Sequence, residues 1–257
     1  MEPRIIVTKS NLVQGLRDLG LSQGSNILVH SSLSSFGYVE GGADTVIDAL
    51  LELISEEGTI MMPAYTYSTR SPDGPAYSLD LPLEKSMGII PATFRKRAGV
   101  ERSMNPCFSF LAWGKNASFV LEKQHYLSPV EKLMNLSGQI LLIGVKMNRC
   151  SAIHLVEEKL APYIETDKAK IVEHGVEKWV TVRKGLCSTA FIKFEDLLDK
   201  SIVCTKIIGK AEVRLFPVSY IFQLATSTFE SNPYFFVCGN PDCKSCRVKK
   251  GKLDSRY

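Results

Sequence analysis

The sequence of 257 residues predicts an α/β fold: a central, mainly parallel sheet flanked by helices, a less regular α+β second half and a Cys-rich C-terminal tail. Three observations carry this. Short apolar runs of strand length alternate with segments of helical periodicity through the first half. Glycine- and serine-rich loops fall between them, and the last twenty residues concentrate cysteine and basic side chains. Strands separated by helices need crossover connections, which place neighbouring strands parallel and cover both faces of the sheet.

Taken in order, Ser10 is the expected cap of a first helix bearing Leu12, Val13, Leu16 and Leu19 and ended by Gly20. NILVH (26–30) reads as a buried strand, and ADTVIDALLELI (43–54) repeats apolar residues at helical spacing. TIMMP (59–63) is the next strand, IIPATFRKR (89–97) a short helix, and FSFLAWG (108–114) and QILLIGV (139–145) further strands. A helix follows from about Ser151. In the second half EKWVTVRKG (177–185) alternates as a strand, FIKFEDLLDK (191–200) reads as helical, and VCTKIIGKAEVRLF (203–216) predicts a hairpin turning at Gly209. Pro217 opens a last helix, since proline suits the first turn. The stretch from about 65 to 85, with Pro72, Gly74, Pro75 and Pro82, is expected to be a long loop, the kind that serves as a lid or moves.

Lys and Arg number 31 against 27 Asp and Glu, a net charge of +4. That is too small to call for nucleic acid, but it suits an anionic ligand. No apolar run reaches the ~18 residues of a membrane span. The start, MEPRIIVTKSNL, lacks an apolar stretch followed by a small-residue cleavage site, so the expected location is cytoplasmic. Seven cysteines in such a chain point to reduced thiols or metal ligands.

The segment GVKMNRCSAIHLVEEKL (144–160) concentrates the chemistry. A strand ends, a polar loop follows where parallel sheets place their ligands, and Ser151 is positioned to cap a helix containing His154. Glu157 and Glu158 lie three and four residues further on, on the same helical face. A carboxylate there can hold one ring nitrogen and leave the other to accept a proton. The competing reading is a surface helix whose His–Glu pair adds a few tenths of a kcal/mol.

Beyond this spacing, LVHSSLSSFGYVEGGADTVIDALLELISEEGTIMMPAYTYS (28–68) resembles the N-terminal signature of the aminoglycoside 3-N-acetyltransferase family. SMG (86–88), GVERSMNPCFSFLAWG (99–114), GVKMNRCSAIHLVEE (144–158) and, more weakly, GKAEVRLFPVSYIFQLAT (209–226) match in the same order. The resemblance implies an N-acyltransferase domain over residues 1–236, using acyl-CoA as co-substrate and acting on the amine of a sugar. It further implies that His154 is the general base and Glu157 its orienter. Ser31, Ser32, Gly41 and Gly42, in the loop before a helix N-terminus, are expected to receive the thioester oxygen or the diphosphate of coenzyme A. Ser86, Arg102 and Ser103 match positions near the donor, and Thr66 and Tyr67 are expected to line the acceptor or pantetheine channel. A lone His30 at a strand end is expected to pack rather than to react.

Two departures touch the acceptor side. Asn105-Pro106 stands where the family shows His before Pro, and Cys150-Ser151-Ala152 where it shows Asn-Thr-Ser. With the basic net charge, they favour a nucleotide-linked deoxy-amino sugar as acceptor, with an aminoglycoside as the alternative.

Residues 237–257 are expected to form a separate basic extension. Cys238, Cys243 and Cys246, spaced C-x4-C-x2-C, supply three of the four ligands of a structural zinc site, with Cys204, Cys187 or His174 open as the fourth. The alternatives are three reduced thiols in a surface extension, or a zinc knuckle whose Arg247, Lys249, Lys250 and Lys252 grip nucleic-acid phosphates. The partners expected are an amino sugar and acyl-CoA, with no nucleic acid and no membrane; a homo-oligomer is left open.

Overall fold

A computed structural model describes residues 5–122 and 124–256. The chain enters through β1 (Ile6–Val7) into α1 (Lys9–Leu19), whose cap is Thr8 rather than Ser10: Thr8 and Asn11 exchange bonds in a capping box. Next come β2 (Asn26–Ser31), β3 (Tyr38–Val39), α2 (Gly42–Ile54), β4 (Thr59–Pro63), α3 (Ile89–Phe94), β5 (Glu101–Arg102) and β6 (Phe110–Gly114). Helices α4 (Ala117–Leu121) and α5 (Ser128–Asn135) lead to β7 (Gln139–Ile143) and α6 (Ile153–Leu160). The second half adds a ribbon of β8 (Thr166–Glu173) and β9 (Val176–Arg183), the hairpin β10 (Cys204–Ile208) and β11 (Ala211–Pro217), then α7 (Val218–Ser231) and α8 (Lys244–Asp254). The segment expected as a helix at 191–200 is a 3-10 helix, Thr189–Leu197.

The central sheet has seven strands in the order β10-β11-β7-β2-β4-β6-β5. It corrects one expectation. Only the centre is parallel, where β2 pairs with β4 and β7, while β6, β5, β11 and β10 run antiparallel to their neighbours. Side chains alternate across the pleat. On β7, Ile140 and Leu142 face a core formed with α4 to α7, whereas Leu141 and Ile143 face a second core under α1, α2 and α3. The apolar runs of β2, β4 and β7 are therefore continuous because both of their faces are covered.

Two glycines decide local paths. Gly209 turns the β10–β11 hairpin at φ 59°. Gly144, at φ 61°, ends β7 so close to Ser35 that an added Cβ would lie 1.8 Å from its Oγ. The loop leaving β7 thus packs directly on the loop leaving β2.

The tail is not a separate unit. Leu253 of α8 is fully buried in the same apolar cluster as Phe229 and Phe236, a burial that contributes about 1.5–3 kcal/mol. The loop from 65 to 85 is also tied down. Tyr77 donates its amide to Lys170 O (2.9 Å) and accepts from Val172 N (2.9 Å), which joins it to β8. Among the described residues no helix is long and apolar enough to cross a membrane.

Candidate active site

A cavity of about 1100 Å³ opens at the C-terminal ends of β2, β4 and β7. Open sheets with parallel centres bind ligands there because adjacent loops diverge and leave a crevice. Its floor carries His30 and Ser31 from β2, Pro63 from β4 and Gly144 after β7. One wall is aromatic: Phe108 packs edge-on against Tyr65, Tyr67 and Tyr126 at centroid distances of 5.4, 5.7 and 4.7 Å.

His154 stands in the first turn of α6 with its side chain 12% exposed on this cavity. Its Nδ1 lies 2.5 Å from Oε2 of Glu157, as the i, i+3 spacing demands. The carboxylate fixes the Nδ1–H tautomer, and Nε2 makes no hydrogen bond among the described residues. Phe191 holds the ring from the other side, 4.6 Å between centroids.

Glu157 itself has no exposed surface. Its second oxygen, Oε1, accepts from the Tyr163 hydroxyl (2.8 Å) and from Lys249 Nζ (2.5 Å). Burial alone would push this carboxyl up, but the hydrogen bond and charge of His154, with Lys249, outweigh burial and hold it below its ordinary value. Glu158 turns away: it accepts from Leu127 N (3.2 Å) and faces His125. The arrangement holds the imidazole through Nδ1 and leaves Nε2 without a hydrogen bond among the described residues, the geometry that a general base requires.

Sequence reasoning missed both further partners of Glu157. Tyr163 lies six residues on, beyond the end of α6. Lys249 belongs to the basic run read as a solvated or phosphate-gripping tail, yet it is fully buried. Only a lysine placed between the buried Cys246 and Leu253 on one helix hinted at it.

The other expected residues divide. Ser31, Ser32 and Gly42 line the cavity, as do Ser86, Tyr67 and Cys150. Burial pushes the Tyr67 phenol up to about 12 and the Cys150 thiol up to about 12, which makes Cys150 inert at neutral pH. Ser151 caps no helix; its hydroxyl lies 3.3 Å from Nε2 of His30. Burial and the charge of Arg149 hold His30 down at about 3, so its ring is neutral.

Five expected positions lie outside the lining. Gly41 caps α2 from behind. Thr66 is buried with its hydroxyl donating to Pro106 O (2.9 Å). Ser103 is buried and accepts from Phe110 N (2.9 Å). Asn105 Oδ1 accepts from Cys107 N and Phe108 N, at 3.2 and 2.8 Å, closing the turn before β6. Arg102 is no phosphate ligand here: its guanidinium donates to the carbonyls of Ala64 (2.9 Å), Leu79 (3.1 Å) and Leu81, holding the loop 65–85 in place.

Beside the cavity, the thiols of Cys187, Cys238, Cys243 and Cys246 lie within 4.8 Å of one another. Of the three residues left open as a fourth partner, the fold selects Cys187, while Cys204 is exposed on β10.

The profile of the aminoglycoside 3-N-acetyltransferase family matches residues 28–230. The chain is 33% identical to the SPbeta prophage-derived aminoglycoside N(3')-acetyltransferase-like protein YokD of Bacillus subtilis strain 168, over 88% of this chain and 93% of that protein. It is 30% identical to aminoglycoside N(3)-acetyltransferase IV of Salmonella sp, over 89% and 90%. Among solved structures, a histidine-to-alanine variant of aminoglycoside acetyltransferase AAC(3)-IVa in complex with apramycin superposes with a TM-score of 0.81 at 28% identity, over 96% of this chain and all of that one. With a histidine–carboxylate pair in a cavity at the strand ends and this match across most of its length, the chain belongs to the aminoglycoside 3-N-acetyltransferase family and is an acyl-CoA-dependent N-acyltransferase.

Proposed function

We propose that this enzyme transfers the acetyl group of acetyl-CoA to the 3-amino group of an aminoglycoside, with His154 as general base. The observation that carries it is the His154–Glu157 pair on the cavity wall of a chain whose residues 28–230 match that family. A nucleotide-linked amino sugar, the acceptor favoured from the sequence, takes second place because the relative from Salmonella sp, matched over 89% of this chain, is an aminoglycoside N(3)-acetyltransferase.

The chemistry follows from the geometry. A sugar ammonium is no nucleophile, so it first gives one proton to water, and the resulting amine gives a second to Nε2 of His154 as it attacks. The amine lone pair forms the N–C bond to the thioester carbonyl, whose oxygen becomes an oxyanion. Ser31 and Ser32, which line the cavity where β2 ends, supply hydroxyl and amide donors to it. Collapse breaks the C–S bond, and the thiolate of coenzyme A takes the proton from the imidazolium. Glu157 stabilises that imidazolium throughout and is itself kept ionised by Lys249 and Tyr163.

A second reading rests on charge. The charged side chains of the cavity lining are Arg70, Lys146 and Arg149, with no Asp or Glu among the described residues. Cations fit the phosphates of coenzyme A, and equally the diphosphate of a nucleotide-linked acceptor; they do not attract a polycation. One assay separates the readings: thiol release from acetyl-CoA with gentamicin- and apramycin-type compounds beside nucleotide-linked amino sugars. Turnover of an aminoglycoside, lowered roughly 10²–10⁴-fold in His154→Ala with coenzyme A binding intact, supports the first. Turnover of nucleotide sugars alone replaces it with the second.

A further inference from the structure

We propose that Cys187, Cys238, Cys243 and Cys246 bind one zinc ion, and that this centre sets Lys249 as a positioning residue for the Glu157–His154 pair. The first half stands on the cysteines alone; the second rests on His154 acting as the base.

The four thiols come from separate places in the fold. Cys187 follows β9, Cys238 follows the 3-10 turn Pro233–Phe236, Cys243 caps α8 and Cys246 lies in its first turn. Their sulfurs lie within 4.8 Å of one another. Zinc–sulfur bonds of about 2.3 Å in a tetrahedron place sulfurs roughly 3.8 Å apart, so a small contraction closes the site. All four are free thiols, so each can give up its proton: one Zn²⁺ displaces up to four protons and leaves four thiolates on the metal. The helix N-terminus at Cys243 favours that negative charge. Cys238 N already donates to Cys246 Sγ (3.2 Å), the kind of amide support that metal thiolates receive.

The link to catalysis is α8. One turn after Cys246, Lys249 reaches back into the protein and donates to Glu157 Oε1 (2.5 Å), Cys187 O (3.0 Å) and Phe236 O (3.1 Å). Ser245, also on α8, accepts from Cys187 N at 3.1 Å. Cys187 and Ser245 both line the cavity. A metal that ties the loop at Cys187 to the start of α8 therefore fixes the position of Lys249 and one cavity wall together. A buried lysine has strong reason to leave, since burial penalises its charge; the four-point tie holds it against Glu157.

The test uses the full, untagged chain. Metal analysis is expected to find about one zinc per chain in the wild type and none in Cys246→Ser. Cobalt exchange should give the absorption of a tetrahedral four-thiolate centre. Protein that carries no zinc when purified from zinc-replete cells, takes up none on titration, and shows freely titratable thiols overturns the metal site whatever the acceptor proves to be. For the second half, Lys249→Met and Lys249→Arg are compared at full zinc occupancy. The expected result is a kcat lowered about 10–100-fold in Lys249→Met with KM for acetyl-CoA little changed, and partial recovery in Lys249→Arg. Should Lys249→Met not fold, zinc is removed from wild-type protein with a mercurial and chelator, and kcat should fall and return on adding zinc. Full kcat in zinc-depleted protein, or in Lys249→Met, overturns the positioning role and leaves the zinc site standing.

Discussion

Arg214 grips Glu195 with two parallel bonds, Nη1 to Oε2 at 2.6 Å and Nη2 to Oε1 at 3.1 Å. Arg214 Nη2 also donates to Val145 O (2.9 Å), and Glu195 Oε1 accepts from Met147 N (2.7 Å). The pair therefore clamps the loop that leaves β7 and delivers His154. Arg214 is 4% exposed, and a fork between guanidinium and carboxylate is among the stronger of protein hydrogen-bond arrangements.

Arg214→Met should cost about 1.5–3 kcal/mol, the range for hydrogen bonds to charged groups. It should also lower kcat, because the loop before α6 loses its tether. Urea unfolding reads the first and steady-state kinetics the second. Unchanged kcat in a destabilised variant would show that the clamp serves stability alone.

Glu157→Gln and Glu158→Gln should differ sharply. The first removes the carboxylate charge beside His154 and strands Lys249 in the core, at a cost of about 3–5 kcal/mol, with kcat reduced. The second gives up one bond to Leu127 N and should leave turnover near the wild-type value. Because the Glu157 carboxyl is held below its ordinary 4.5, it contributes stability above that pH which is lost as pH falls through the lower folded value. Equal losses from the two variants would refute the assignment.

His30 makes the protein acid-sensitive. Its ring is depressed from 6.5 to about 3 by burial and by Arg149. At neutral pH it is uncharged folded or unfolded. Between pH 6.5 and about 3 the unfolded chain takes the proton and the folded one does not, so stability falls as pH drops through that window. His30→Gln should flatten this part of the Tm–pH curve in calorimetry. An unchanged slope would place the acid sensitivity elsewhere.

Asn105→Ala should lose about 0.5–2 kcal/mol, as for a side chain that caps backbone amides. KM for the acceptor should hold, since Asn105 does not line the cavity. A raised acceptor KM at unchanged stability would restore the acceptor role read from the sequence.

Six of the seven strands of the sheet, the hairpin at Gly209 and the His154–Glu157 pair were legible in the amino-acid order, whereas the two-residue β5 was not. Each depends on residues a few positions apart, where periodicity and helix geometry act directly. Strand direction was not legible: β6 runs antiparallel to β4 because of the path its connection takes through α3 and β5, which no local pattern encodes. Arg102 read as a phosphate ligand became a loop clamp because its acceptors, Ala64, Leu79 and Leu81, come from 21 to 38 residues away. Lys249 changed most. A lysine in a basic run is solvated unless a buried acid waits for it, and Glu157 lies 92 residues earlier. Cys187 likewise joins the cysteines of the tail only when the core brings the two segments together. Such partners are chosen by the desolvation of charge on closing the core, and that term exists only once the tertiary structure has formed.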